Sequence, residues 1–407
     1  MNSHLLFNVS VVTPREVIEN GAVFVHNGLI EAVGTMPRKI PQGYSAIDGQ
    51  GRWLIPGMID LHNDSIEKEI EPRPDALIPV DIALFALEGR LVSHGITSVY
   101  HSLAFMEGET AVRTAPMVTF NIREINRLKH LGLIRHQIHA RYDITEKGFS
   151  AILTDMIEKG QVQLLSFMDH TPGQGQYWKM DVFRDYYAKK HPHLGEAGID
   201  QLIEKRRSRT QAGNNNEMLD LIAERAGRYN LPVASHDDDS PDRIAFMKKK
   251  GVTISEFPVN LETALDAATQ GMHVVVGAPN IVRGISNSGN MRALDAIGNH
   301  AAHIICSDYM SSSMLHAVFQ LHNKHGIAMS EAVKMATLNP AKAVGCDDRL
   351  GSIEAGKVAD MALITEIDGL PFVEQVFVAG YQVMCKKRSY AQCIGMNSYQ
   401  QGERVCL

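Results

Sequence analysis

One apolar run of the chain, Leu54–Asp64, ends in an imidazole and a carboxylate separated by a single residue, His62 and Asp64. Alternate side chains of a strand share a face, so the two point the same way. An imidazole beside a carboxylate is the beginning of a divalent metal site, although a His-x-Asp pair standing alone is commonly a surface or capping pair. Other apolar runs end in the same kinds of residue: His101, Arg141 with Asp143, Asp169 with His170, His236 with Asp237 and Asp238, Glu256, Asn280, and Asp308. One histidine in such a place would be structural. Its repetition at successive run ends argues for a metal centre with His62, Asp64, Asp143, His170, His236 and Glu256 as candidate ligands. Neutral imidazole and carboxylate suit zinc, manganese or iron(II). A carboxylate can bridge two such ions, and Asp143 is the candidate for that role. Water on such an ion becomes acidic near neutral pH. A further carboxylate must then accept its proton, and Asp308 is placed to do so; its alternative is to cap the helix that follows.

A second group of residues suits an anion. Gly277–Asn290 is rich in glycine and small polar residues and contains Arg283, Ser286, Ser288 and Asn290. Backbone N–H groups in such a loop can converge on a phosphate while an arginine adds a forked donor. The spacing matches neither the P-loop nor the dinucleotide fingerprint, and an ordinary surface loop is the competing reading. Arg73, in Glu71-Pro72-Arg73-Pro74, and nearby Lys68 are further cations within reach of an anionic substrate, or equally residues of a solvated loop.

The elements that must position these groups alternate in type. Strand-like runs fall near 53–62, 95–101, 137–143, 162–169, 231–236, 252–257, 272–277 and 302–308. Amphipathic helical patterns such as Val80–His94, Met117–Leu131, Glu217–Arg228, Pro241–Lys250 and Leu261–Gly271 lie between them. Alternating β and α predicts a parallel sheet. Eight units over about 250 residues suit a (β/α)8 barrel of the TIM type, with a doubly wound sheet as the other arrangement that reads alike. The polar stretch near 171–216 predicts a helical insertion or lid. Both chain ends are β-rich. Asn27-Gly28 between apolar runs is a hairpin signal, and Ala379-Gly380 marks another turn. These ends predict one small composite β-sandwich domain, 1–52 with 350–407, around a barrel of 53–349. The polar tail from Ser389 is expected to be loosely held.

Of the 407 residues, 44% are hydrophobic and 21% charged, and the net charge of -6 argues against general nucleic-acid binding. Five cysteines, an odd number with no C-x-x-C, predict neither a disulfide framework nor a thiolate zinc site. The start of the chain lacks a basic segment followed by an apolar one, and no uncharged apolar run reaches roughly 18 residues. A cytoplasmic enzyme acting on a small phosphorylated substrate is expected, with no membrane or nucleic-acid partner; a homo-oligomer stays open.

Pro56–His62, Asp308 and Gly356-Lys357-Val358-Ala359-Asp360 resemble the amidohydrolase superfamily. The resemblance extends over most of the chain to its diphosphatase branch of phosphonate catabolism. It is carried by His62-Asn63-Asp64 with Glu71–Pro74, Phe167–Gln174, Ala234–Asp238, Glu256-Phe257-Pro258, Gly277–Gly289 and Ser307-Asp308-Tyr309. It implies a metal-dependent (β/α)8 hydrolase that releases pyrophosphate from alpha-D-ribose 1-methylphosphonate 5-triphosphate, leaving the 5-phosphate. It further implies His62, Asp64, His170, His236 and Asp308 as metal or catalytic positions and the Arg283 loop as a phosphate binder. The superfamily usually opens with His-x-His. Asp64 in the second position follows this branch and shifts the expected one or two ions from zinc towards manganese or magnesium. Glu256 stands where the superfamily places a sixth-strand histidine, and His170 where it places a carboxylated lysine. The alternative is hydrolysis of a cyclic amide or deamination of an aminated ring by the same centre.

Overall fold

The computed structural model of the chain describes residues 3–36, 42–106, 110–175, 180–190, 193–211, 215–286 and 289–386. Strands β1 (Ser3–Val12), β2 (Val17–His26), β3 (Leu29–Thr35) and β4 (Ser45–Pro56) come from the start of the chain. Strands β13 (Met361–Ile367), β14 (Leu370–Val378) and β15 (Tyr381–Cys385) come from its far end. They form one seven-stranded sheet in the order β15-β14-β13-β4-β1-β2-β3. Asn27 and Gly28 take φ of 50° and 83°, and Ala379 and Gly380 take 49° and 74°. These left-handed pairs are what a two-residue hairpin turn of matching twist requires. The two turns also touch, and a Cβ on Gly380 would come within 3.0 Å of the Gly28 Cα.

Eight parallel strands lie between those ends: β5 (Met58–Asn63), β6 (Ile96–Phe105), β7 (Arg135–Asp143), β8 (Leu164–Met168), β9 (Val233–His236), β10 (Ile254–Glu256), β11 (His273–Gly277) and β12 (Ile304–Cys306). Each pairs with the next, and a parallel bridge from Asn63 to Asp308 joins the last to the first. The expected barrel is therefore the architecture, and the doubly wound sheet is excluded. The run read as 53–62 proves to be two strands. Residues through Pro56 finish β4 in the small sheet, and β5 starts the barrel after Gly57. A Cβ on Gly57 would fall 2.2 Å from Thr97 Oγ1, so only glycine lets the chain pass between sheets there.

Helices Val80–Ser93, Ala115–Leu128, Asn215–Arg228, Pro241–Lys249 and Leu261–Thr269 follow the periodic segments. Their apolar faces pack on outward residues such as Val99, Leu103, Ile138 and Ala140. Inside, Ile59, Leu61, Tyr100, Leu164, Ala234, Ile254, Val275, Ile304 and Cys306 form a separate cluster, so the barrel is filled rather than open. Two further helices, Met180–Lys190 and Gly195–Gln211, make up much of the insertion. Phe183, Tyr187, Ile199 and Ile203 give it an apolar cluster of its own. No helix among the described residues is long and apolar enough to cross a membrane.

Candidate metal and active site

The seam between the first and last barrel strands fixes the site. Asp308 N–H donates to His62 O and Asp64 N–H donates to Asp308 O, both at 2.9 Å. Beneath them Asn63 Nδ2 donates to Asp60 Oδ2 at 3.0 Å, to Ser307 Oγ at 2.7 Å and to Ser311 Oγ at 3.1 Å. Ser307 N–H and Oγ both donate to the fully buried Asp60 carboxylate. Burial pushes the Asp60 carboxyl up, against the pull of these donors. Asn63 thus spends its amide joining two strands rather than meeting a substrate. The pairing of β5 is irregular between Asp60 and Asn63. Such a bulge re-aims side chains, and it turns His62 into the barrel mouth. Asp237, Phe257 and Asp308, just past β9, β10 and β12, hold left-handed φ of 58°, 55° and 55°. For Phe257 in particular this is strained backbone of the kind that collects at functional sites.

A cavity of about 570 Å³ opens over these strand ends; His62, Asp64, Arg141, His170, His236, Asp237 and Asp308 are among its lining residues. His62 is buried and meets carboxylates on both ring nitrogens, Glu256 Oε1 at Nδ1 and Asp64 Oδ1 at Nε2, each at 3.3 Å. Burial alone would lower its pKa, but Glu256 and then Asp64 outweigh burial and Arg141 and raise it to about 10. Burial likewise opposes the Asp64 charge, and Arg141 and His62 hold that carboxyl below the usual carboxylate range. Glu256 is completely buried; His139 at 3.7 Å and His62 hold its carboxyl low in spite of desolvation. Asp308 goes the other way: burial and the neighbouring Asp64 charge raise it to about 7.

Among the described residues, two sets of three donors have ligand atoms within 4.8 Å of one another, His62 with Asp64 and Asp308, and His62 with His236 and Glu256. These residues fit a divalent ion by their chemistry, imidazole nitrogen with carboxylate oxygen. They also fit by electrostatics, because a buried His62 cation held among carboxylates marks a place where positive charge is stabilised.

His62, Asp64, His236, Glu256 and Asp308 are therefore brought together. His170 lines the same cavity, but Asp143 stands behind it. One Asp143 oxygen meets His170 Nδ1 at 2.8 Å, and the other accepts from Thr145 N–H and Oγ1. The His170 contact and the Thr145 donors hold the Asp143 carboxyl below its ordinary range despite burial. With both oxygens engaged, Asp143 belongs to neither donor set. Ser286 and Asn290 line the cavity. Ser288 lies outside the described residues. The Gly277–Asn290 stretch opens with a short helix, Ala278–Arg283, and Arg283 at its end reaches Tyr309 Oη at 3.4 Å on the rim. Arg73 is exposed and away from the lining. Lys68, the Glu67–Arg113 ion pair at 2.7 Å, and Tyr309 do line it. The Glu67–Arg113 partnership, between residues far apart in the chain, left no local signal. Arg141 carried one, a position two residues before Asp143 on the same face, but no role follows from that alone.

The Amidohydrolase family profile matches residues 178–383. The chain is 32% identical to the alpha-D-ribose 1-methylphosphonate 5-triphosphate diphosphatase of Escherichia coli (strain K12), over 93% of this chain and 100% of that protein. It is 22% identical to the N-acetylglucosamine-6-phosphate deacetylase of Haemophilus influenzae, over 89% and 95% of the two chains. The crystal structure of the Pasteurella multocida N-acetylglucosamine-6-phosphate deacetylase superposes with a TM-score of 0.62 at 14% identity, covering 93% of this chain and 99% of that one.

Proposed function

Because this chain belongs to the amidohydrolase family, we propose that it is a metal-dependent diphosphatase releasing pyrophosphate from a ribose 1-methylphosphonate 5-triphosphate. The observation that carries the choice is the end-to-end likeness to the Escherichia coli diphosphatase; the deacetylase likeness is weaker in identity. The rim supports it, since Lys68 and Arg113 line the cavity and Lys68 and Arg283 both reach Tyr309, a cationic setting that suits a polyphosphate better than a neutral ring.

His62, Asp64 and Asp308 are the residues that would hold the metal, with His236 beside them across Arg141. A divalent ion bound there supplies charge neutralisation at the phosphate oxygens and a more acidic water. Asp308, just past the end of β12 beside Asp64 and His62, takes the proton of the attacking water. The water oxygen bonds to phosphorus as the bridging P–O bond to the leaving pyrophosphate breaks. His170, oriented through Nδ1 by Asp143, presents its other nitrogen to the leaving oxygen. Glu256 holds His62 in place, and Ser286 and Asn290 bind phosphate oxygens. The same reading takes 1–52 with 350–407 as a composite β domain, to which the end of β4 adds residues 53–56, and the rest of 53–349 as the catalytic unit. Its insertion brings Tyr187 to the cavity.

The test is to strip the protein of metal, restore zinc, manganese or magnesium, and assay pyrophosphate from the ribose triphosphate beside hydantoin, dihydro-orotate and adenine. Metal-dependent pyrophosphate release with no turnover of the cyclic compounds is expected. Hydrolysis of a cyclic compound without pyrophosphate release would assign the centre to amide or deaminase chemistry.

A further inference from the structure

We propose that Arg141 is a built-in second cation: the site holds one divalent ion, and the Arg141 guanidinium stands where a second would bind. The inference rests on the reading of this cavity as a metal centre.

Arg141 comes from β7, on the face that also carries His139 and Asp143, and projects into the cavity between the two donor sets. Its Nη1 donates to Asp64 Oδ1 at 2.9 Å and its Nη2 lies 3.4 Å from His236 Nε2. His236 Nδ1 faces Asp237 Oδ2 at 2.7 Å. An ionised carboxylate only accepts, so the ring proton belongs on Nδ1 and the lone pair on Nε2. That lone pair is what a metal would use, and it points at the guanidinium. The arginine therefore occupies a ligand of one donor set and shares a ligand of the other.

His62 leads to the same count. Both three-donor groups require it, but an imidazole must give up its extra proton to ligate a metal and then has one lone pair. Glu256 Oε1 at Nδ1 sets the proton there and leaves Nε2 beside Asp64 and Asp308. The His62, Asp64 and Asp308 group is thereby complete, while the His236 side is short of a ligand and already carries a positive charge. The Arg141 Nε–H is buried with no hydrogen-bond partner among the described residues. Holding a guanidinium with one donor unsatisfied is costly, which fits a side chain kept for its charge at this point.

The experiment is to count ions. Full-length protein is stripped with a chelator, saturated with Mn2+, desalted, and analysed by mass spectrometry and electron paramagnetic resonance. One ion per chain with the spectrum of an isolated Mn2+ is expected. Two ions, or a spin-coupled pair, would overturn the proposal while leaving the metal reading intact. No retained ion would remove both. Arg141→Met, checked for native circular dichroism, frees Asp64 and His236 and should take up a second ion; a stoichiometry still at one would show that Arg141 does not exclude it. Arg141→Lys keeps the charge and should stay at one, and a second ion there would also count against the assignment.

Discussion

Two buried histidine clusters share strand β7 and behave in opposite ways. At the barrel mouth, His62, His139 and His236 pack around Glu256, and His62 and His236 line the cavity. On the outer wall, His101 Nε2 and His136 Nδ1 lie 2.9 Å apart, and His136 Nε2 reaches Glu88 Oε2 at 3.1 Å. Glu88 belongs to the helix Val80–Ser93 and also accepts from the backbone N–H groups of Leu133 and Ile134. Burial, with help from His136, pushes His101 well below its ordinary pKa, whereas carboxylates raise His62 to about 10. Residue type is therefore no guide to a site; the face of the strand is. His136 and His139 are three apart on β7 and look in opposite directions, one to a helix and one into the barrel beside Glu256.

The largest test of this contrast is at the mouth. Asp308→Asn should lower kcat by about 10²–10⁴-fold with circular dichroism unchanged; near-normal turnover would remove Asp308 from the chemistry. The outer cluster should answer in the other currency. Glu88→Ala strands His136 and two backbone donors, and should cost about 2–4 kcal/mol of stability. The activity of the molecules that remain folded should stay at the wild-type value, measured beside a denaturation curve; a catalytic loss at unchanged stability would merge the two clusters.

The smallest effect is a pH dependence. In metal-free protein the Asp308 pKa is raised from 3.8 to about 7. The folded state then binds the proton more tightly than the unfolded one, so this contribution is full below pH 4 and is lost as pH rises through 7. Between pH 6 and 8 the loss is about 1.4 kcal/mol. It should appear in wild-type melting curves and be missing from Asp308→Asn. His101, depressed by burial, has the opposite sign and costs stability as pH falls below its ordinary value of 6.5. An Asp308→Asn protein with the wild-type pH slope would dissolve the distinction.

The barrel, the hairpin turns and the gathering of His62, Asp64, His236 and Asp308 at one barrel mouth were legible because each depends on local pattern: strand period, turn residues, and the polar residue where an apolar run stops. The failures were of reach and length. His101 reads as a strand end, yet β6 continues to Phe105, which leaves His101 in mid-strand on the outer face. Asp143 has the right type and position for a metal, but its partners, His170 and Thr145, are set by tertiary packing. Arg73 sits in a promising motif and still lies outside the cavity, because nothing in a loop's sequence fixes where it travels. Asn63 shows the converse, a loop-like polar residue that is wholly buried as a clasp.

That clasp has a consequence for how the enzyme comes into being. His62 and Asp308 meet through backbone bonds between the first and last barrel strands, and β4 waits for β13 to pair with it in the small sheet. During synthesis the early strands must persist without their partners while the intervening helices are made. Contacts so distant in sequence form slowly, and unpaired strand edges invite aggregation meanwhile. A nascent chain halted before residue 308 would therefore carry His62, Asp64, Arg141 and His236 and still be inactive. Catalytic competence should appear late in translation and abruptly, when the final strand closes the ring.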